Sequence, residues 1–423
     1  MKNKQKYLSI LVVALALGAA WAVRGKFGHE QGAAWAGAIG ALSVILVAKR
    51  NDWYNKTFKI TLAAAFGWGI SGVISYGVVV GYGRGVDFVN VYYGLLMLFV
   101  IGVLYGFLGG GIFGLALIDS KTVKVKWYAL LAEMVALGLL TYALLINQLE
   151  WFMTPPRSEM WAACLGAGIA VAWYIVRHQH ASVLKVAVWS AIGAGFGFAF
   201  GNFLQVMGSV SGIQFNFWNV MEYSIGFFGG IGMAYGTFTS HWPVSDDKPT
   251  RNQNLIPILL LVCFIPFVVW DQSFVSDRFQ FILEDGGSPT TVFYIKLIAI
   301  AAIIVVAILI ITRNYSSMKE KTFASSNRVV KNLFLLYLGL YIFLSFLVTG
   351  LYTHPPEQYF YLINFAVILF ILPRLRGTFE VHENKPQTWI LVTFILIVAL
   401  AFLAAIAMNA HGELPGSQIR FKL

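Results

Sequence analysis

Nine consecutive residues carry more chemistry than any other stretch of the chain: Arg24-Gly25-Lys26-Phe27-Gly28-His29-Glu30-Gln31-Gly32. A guanidinium and an ammonium can hold an anionic group. A histidine beside a glutamate can hold or pass a proton, with a pKa tunable across neutrality. The segment follows directly on Ala20-Trp21-Ala22 and runs into Ala33-Ala34-Trp35, so apolar surroundings press on it from both sides. The competing reading is an ordinary short loop whose Arg24 and Lys26 snorkel to a membrane surface.

Further polar residues stand inside apolar runs and need a reason for being there. Glu222 lies about one and a half turns into a helix-forming run, and a carboxylate at that depth is a functional candidate, with Arg24 or Arg84 as its partner. Asp87 and Asn216 each precede a helix start and are expected to be N-caps. Asn90 and Asn219, one turn later, are expected to face a shared interior. The candidate solute-binding set is therefore Arg24, His29, Glu30, Gln31, Arg84, Asn90, Asn219 and Glu222. Glu133 is a second relay candidate or a snorkelling side chain. The segment 271–290, with Asp271, Asp277, Arg278, Glu284 and Asp285 among Phe274, Phe279 and Phe281, reads as an amphipathic helix on the membrane, or as a lid over a cavity.

No cofactor is implied. The seven histidines show neither zinc-protease nor di-iron spacing, and Cys164 and Cys263 sit in apolar runs as buried thiols rather than ligands. No residue is assigned a catalytic or metal-binding role.

The elements that must position these residues are membrane helices. Of 423 residues, 58% are hydrophobic and only 12% are charged. Soluble domains carry about 25% charged residues, so lipid must be the main solvent. The net charge of +11 does not mark a nucleic-acid binder, because Lys and Arg are spread by topology rather than clustered on one face. Apolar runs near 7–22, 31–48, 60–80, 90–118, 128–146, 160–176, 186–206, 217–240, 255–270, 291–312, 332–350, 359–373 and 388–408 predict an all-α polytopic membrane protein of about 13 spans. Alternate loops hold 22 and 7 of the basic residues, which predicts the N-terminus inside and the C-terminus outside. Lys2–Lys6 followed by an apolar core and Ala20-Trp21-Ala22 also resembles a cleavable signal, and cleavage leaves 12 spans. The expected location is a bacterial cytoplasmic membrane.

Glycine divides the chain: 34 of 41 lie before residue 250. Within that part, Ala65–Gly69 recurs as Ala191–Gly195, Phe88–Val91 as Phe217–Val220, and Ile101–Gly106 as Ile231–Gly236. These collinear matches predict a tandem repeat of a four-helix unit, 1–120 and 121–248, followed by a glycine-poor five-helix region, 249–423. Most glycines are expected to serve close helix packing. Gly109-Gly110-Gly111 and Gly81–Gly85 are the candidates for unwound helix that exposes backbone to a solute.

Two functions fit this pattern. The first is a transporter or permease for a polar, sugar-like or anionic small solute, bound toward the outer half of the membrane, with Glu222 or the His29–Glu30 pair carrying a coupling proton and Arg24 and Arg84 holding an anionic group. The second is a membrane-embedded transferase or hydrolase acting on a lipid-linked or cell-envelope substrate at the outer leaflet. The expected partners are the bilayer and a polar solute, with no nucleic acid.

Overall fold

The computed structural model describes residues 2–245, 251–284, 288–317, 323–377 and 386–422. The chain is 81% helical, with no strand among the described residues. In chain order the helices are α1 (Lys2–Arg24), α2 (Glu30–Ala48), α3 (Asn51–Asn55), α4 (Thr57–Ser71), α5 (Gly77–Tyr82) and α6 (Phe88–Ile118). They continue with α7 (Trp127–Tyr142), α8 (Met160–Arg177), α9 (Ala181–Val210), α10 (Phe217–Phe238), α11 (Arg251–Leu259) and α12 (Ile265–Ser273). The last are α13 (Gln280–Glu284), α14 (Pro289–Ser317), α15 (Phe323–Ser345), α16 (Leu351–Thr353), α17 (Pro356–Ile371) and α18 (Pro386–Ala410).

Eleven helical stretches among the described residues are long and apolar enough to cross a membrane. Each of the thirteen apolar runs forms helix, and two fall short of that standard. The run 60–80 is broken: α4 ends at Ser71 and α5 begins at Gly77. The other, α10, is an intact helix of 22 residues that carries Asn219, Glu222 and five glycines.

The core is built by backbone contact between helices. A Cβ on Gly106 would lie 2.0 Å from the Ser190 carbonyl oxygen, and one on Gly102 would lie 2.3 Å from that of Ala194, so α6 and α9 touch main chain to main chain. Gly232 and Gly193 do the same between α9 and α10, at 2.0 Å from Trp189 O and 2.2 Å from Phe228 O. Without a hydrophobic drive between helices in lipid, such close packing is what holds them. Gly109-Gly110-Gly111, expected to unwind, lies inside the continuous helix α6. Gly109 there makes room for the Trp68 indole and Gly110 for Ser190. Gly81–Gly85 runs from the end of α5 into the turn before α6.

The break falls instead at Gly72–Tyr76. A Cβ on Gly72 would come within 2.4 Å of the His29 carbonyl oxygen, so the end of α4 lies directly against the turn before α2. Carbonyls released near the break find donors, Ile74 from the Tyr105 hydroxyl at 3.2 Å and Ile70 from the Cys164 thiol at 3.7 Å. Broken backbone at membrane depth needs this substitution of partners.

Burial orders the bundle. The apolar window of α2 is 89% buried and that of α1 78%, whereas those of α18 and α14 are 17% and 28% buried. Thus α1 and α2 form the centre and α14 and α18 the periphery. The C-terminal helices are not all peripheral: α15 packs on α2, with Tyr341 stacked on Trp35 at 4.7 Å and its hydroxyl donating to Gly32 O at 3.0 Å. The boundary drawn at 248/249 lies outside the described residues.

Candidate functional site

Two small-residue faces meet to build the site. On α10, Asn219, Glu222, Gly226 and Gly230 recur every three or four residues and so share one face. A Cβ on Gly226 would lie 2.3 Å from Leu17 O, and one on Gly230 2.9 Å from the Ala14 Cα, which brings α10 onto α1. That contact carries Glu222 to the last residue of α1, Arg24. The Asn216 side chain caps α10 by accepting from Asn219 N at 3.3 Å, and Asp87 caps α6 by accepting from Asn90 N at 2.9 Å, as the two positions predict.

Arg24 is buried, at 1% exposure, and Glu222 at 5%. Arg24 Nη1 donates to Glu222 Oε2 at 3.1 Å, to Oε1 at 3.2 Å and to the Tyr76 hydroxyl at 3.0 Å. Tyr76, at the end of the break in 60–80, in turn donates to Glu222 Oε1. Arg24 Nη2 meets His29 Nδ1 at 3.0 Å. An arginine nitrogen can only donate, so Nδ1 is the acceptor and the His29 proton sits on Nε2. His29 keeps an exposed face, yet it is pushed down to about 4, first by partial desolvation and then by the nearby Arg24 and Arg157 charges. It is therefore neutral at pH 7, and the adjacent Glu30 does not tune it toward neutrality.

After Arg24 the chain turns through Phe27 N to Arg24 O at 2.9 Å and a left-handed Gly28 (φ +89°), then enters α2. Phe27, fully buried against Tyr341, fixes that turn. Around it lies a cavity of about 330 Å³ whose polar wall includes Arg24, Lys26, His29, Tyr76, Asn219, Glu222 and Arg278. Lys26 pairs with buried Glu357 at 3.5 Å, and Glu357 also accepts from Asn216 Nδ2 at 3.0 Å. Asn219 Nδ2 donates to Ala22 O at 3.1 Å and to the Tyr361 hydroxyl. Close by the Arg24–Glu222 pair, Trp21, Trp68, Tyr105 and Phe198 form a buried aromatic cluster, with Trp21–Trp68 centroids at 5.1 Å and Tyr105–Phe198 at 5.9 Å.

Of the eight residues singled out in the sequence, Arg24, His29, Asn219 and Glu222 come together here. Glu30 and Gln31 do not. They line a separate apolar groove of about 710 Å³ between α2, α4 and α12. Arg84 lines a third space, and Asn90 faces away from Asn219: its carboxamide bonds the main chain of the C-terminal segment, accepting from Arg420 N at 2.6 Å and Phe421 N at 2.9 Å. Glu133 pairs with Arg177 at 2.9 Å. In the segment 271–290, Phe274 and Phe279 are buried and Arg278 reaches the cavity, donating to Lys26 O; Asp285 lies outside the described residues. Sequence reasoning missed Tyr76, Glu357 and Tyr361. The signal for Tyr76 was a small and polar cluster, Ser71-Gly72 and Ser75-Tyr76-Gly77, in the middle of an apolar run. Among the described residues no three His, Cys, Asp or Glu side chains are grouped to hold a metal.

No protein-family model, curated protein or solved structure matches the chain.

Proposed function

We propose that this chain is a multi-pass membrane transporter for a polar, anionic small solute. The observation that carries this reading is the buried Arg24–Glu222–Tyr76 cluster at a cavity wall, with Tyr76 supplied by an interrupted apolar run. Interrupted helices with intramembrane charges are how many carriers present backbone and side chains to a solute. The proposed frame is N-terminus inside, C-terminus outside, with two four-helix repeats in a bacterial cytoplasmic membrane and the cavity toward the outer half. Solute uptake into liposomes bearing the purified chain tests it. Uptake should depend on a proton gradient and fall at least about tenfold in Glu222→Gln, a change of about 1.4 kcal/mol. Uptake unchanged in that variant removes Glu222 from the mechanism.

The groove beside Glu30 and Gln31 favours a second reading, an enzyme acting on a lipid-linked substrate. Its walls, including Leu62, Phe66, Ile70, Phe264 and Ile265, suit an acyl or prenyl chain. Turnover of a lipid-linked substrate by liposomes that show no uptake would favour this reading over the first.

A further inference from the structure

Two arginines near the cavity differ in one respect. The Arg24 charge is already met by the Glu222 carboxylate. Arg84, in the turn between α5 and α6, has no carboxylate within ion-pair distance among the described residues. Its Nη1 donates to a main-chain carbonyl, Pro415 O, at 3.0 Å, and its guanidinium lies over the Trp218 ring at 5.5 Å. Buried Gln205 completes the set. With its amide oxygen turned toward the donors that surround it, it accepts from Arg84 Nη2 at 3.2 Å and from Trp218 Nε1 at 3.0 Å. Burial pushes the Arg84 pKa down with no carboxylate opposing it. A partly desolvated cation held only by dipoles and a ring face is short of negative charge.

These groups line a space of about 460 Å³, with Ser209 on its wall and Leu414 and Pro415 of the C-terminal segment beside it. Asn216 and Trp218 line both this space and the Arg24 cavity. We infer that the Arg84 chamber is a second binding site, specific for the anionic group of a small organic carboxylate or phosphate. The anion bonds the Arg84 guanidinium in place of the Pro415 carbonyl, while Arg24 stays committed to Glu222. The inference deepens the transporter reading and rests on it only in treating that anion as cargo.

Ser209 is exposed on the chamber wall, so a cysteine there reports the local field without any transport assay. The test uses the full chain carrying Cys164→Ala, Cys263→Ala and Ser209→Cys, labelled in micelles with an anionic and a cationic methanethiosulfonate. Each rate is normalised to that reagent's rate with a free thiol. The anionic reagent should react roughly tenfold faster than the cationic one, as an unneutralised charge a few ångströms away produces. Inorganic phosphate or succinate should slow the labelling. Arg84→Gln should bring the ratio near one and abolish protection, while Arg84→Lys, which keeps the charge, should preserve the ratio. A ratio unmoved by Arg84→Gln, an unreactive cysteine, or protection by neither anion overturns the site. Protection retained in a chain whose liposomes take up no anion leaves the site standing and removes the transporter reading.

Discussion

Arg24 and Glu222 are 198 positions apart in the chain, yet their side chains meet at 3.1 Å in surroundings almost closed to solvent. A buried pair of this kind costs desolvation of both ions, and removing one partner leaves the other charge uncompensated, a loss of about 3–5 kcal/mol. Glu222→Gln and Arg24→Gln should each lower the midpoint of thermal unfolding in micelles strongly. The double variant Arg24→Gln/Glu222→Gln should recover part of the loss, because no lone charge remains. Additive single losses would show that the two side chains do not share one interaction.

His29 gives a pH signature. Its folded pKa of about 4 lies below the ordinary 6.5, so the unfolded chain takes up the proton first. The stability contributed by the neutral ring is complete above about pH 6.5 and is lost as pH falls toward 4. Arg24 enforces this, since an imidazolium would point a proton at a guanidinium 3.0 Å away. Unfolding midpoints across pH 4 to 7 should fall less steeply with acid in His29→Gln than in the native chain. Equal slopes would place the ring away from Arg24.

Glycine positions divide by what surrounds them. Gly106→Ala would drive a methyl group to 2.0 Å from the Ser190 carbonyl oxygen and push α6 from α9. It should cost at least about 1–3 kcal/mol and reduce the yield of monodisperse protein. Gly77 has nothing within 4 Å of a Cβ. Gly77→Ala should be neutral or stabilising by up to about 1 kcal/mol, measured side by side in the same thermal assay.

The C-terminal segment is tied down by main-chain bonds, Leu414 N to Arg84 O at 3.2 Å and Gln418 N to Gly81 O at 3.1 Å, as well as by Asn90. A Cβ on Gly81 would lie 2.8 Å from the Gly416 carbonyl oxygen, so a side chain there must push the segment away. Gly81→Ala should therefore cost about 1–3 kcal/mol, read as a lower midpoint of thermal unfolding. Asn90→Ala, by contrast, should speed tryptic cleavage after Arg420 several-fold. Unchanged proteolysis in that variant would mean that Asn90 does not hold the segment.

The sequence by itself determined the class of molecule and the region of interest. Scarcity of charge and the length of the apolar runs require helices in lipid, because each helix satisfies its own backbone within one stretch of chain. The caps at Asp87 and Asn216 were legible for the same reason: a cap reaches only three residues. Glu222 stood out because a carboxylate in an apolar run demands a partner, though which arginine answered it was not local information. Only the tertiary structure decided that α10 lies against α1 through Gly226 and Gly230, which selects Arg24 and leaves Arg84 without a carboxylate. It also decided where a helix breaks. Gly109-Gly110-Gly111 stays helical with Trp68 and Ser190 filling the space it opens, whereas α4 ends just before Gly72, where the His29 carbonyl lies against it. In sequence the triple glycine is the candidate for unwinding; the side chains that fill its space come from other helices and are not local information.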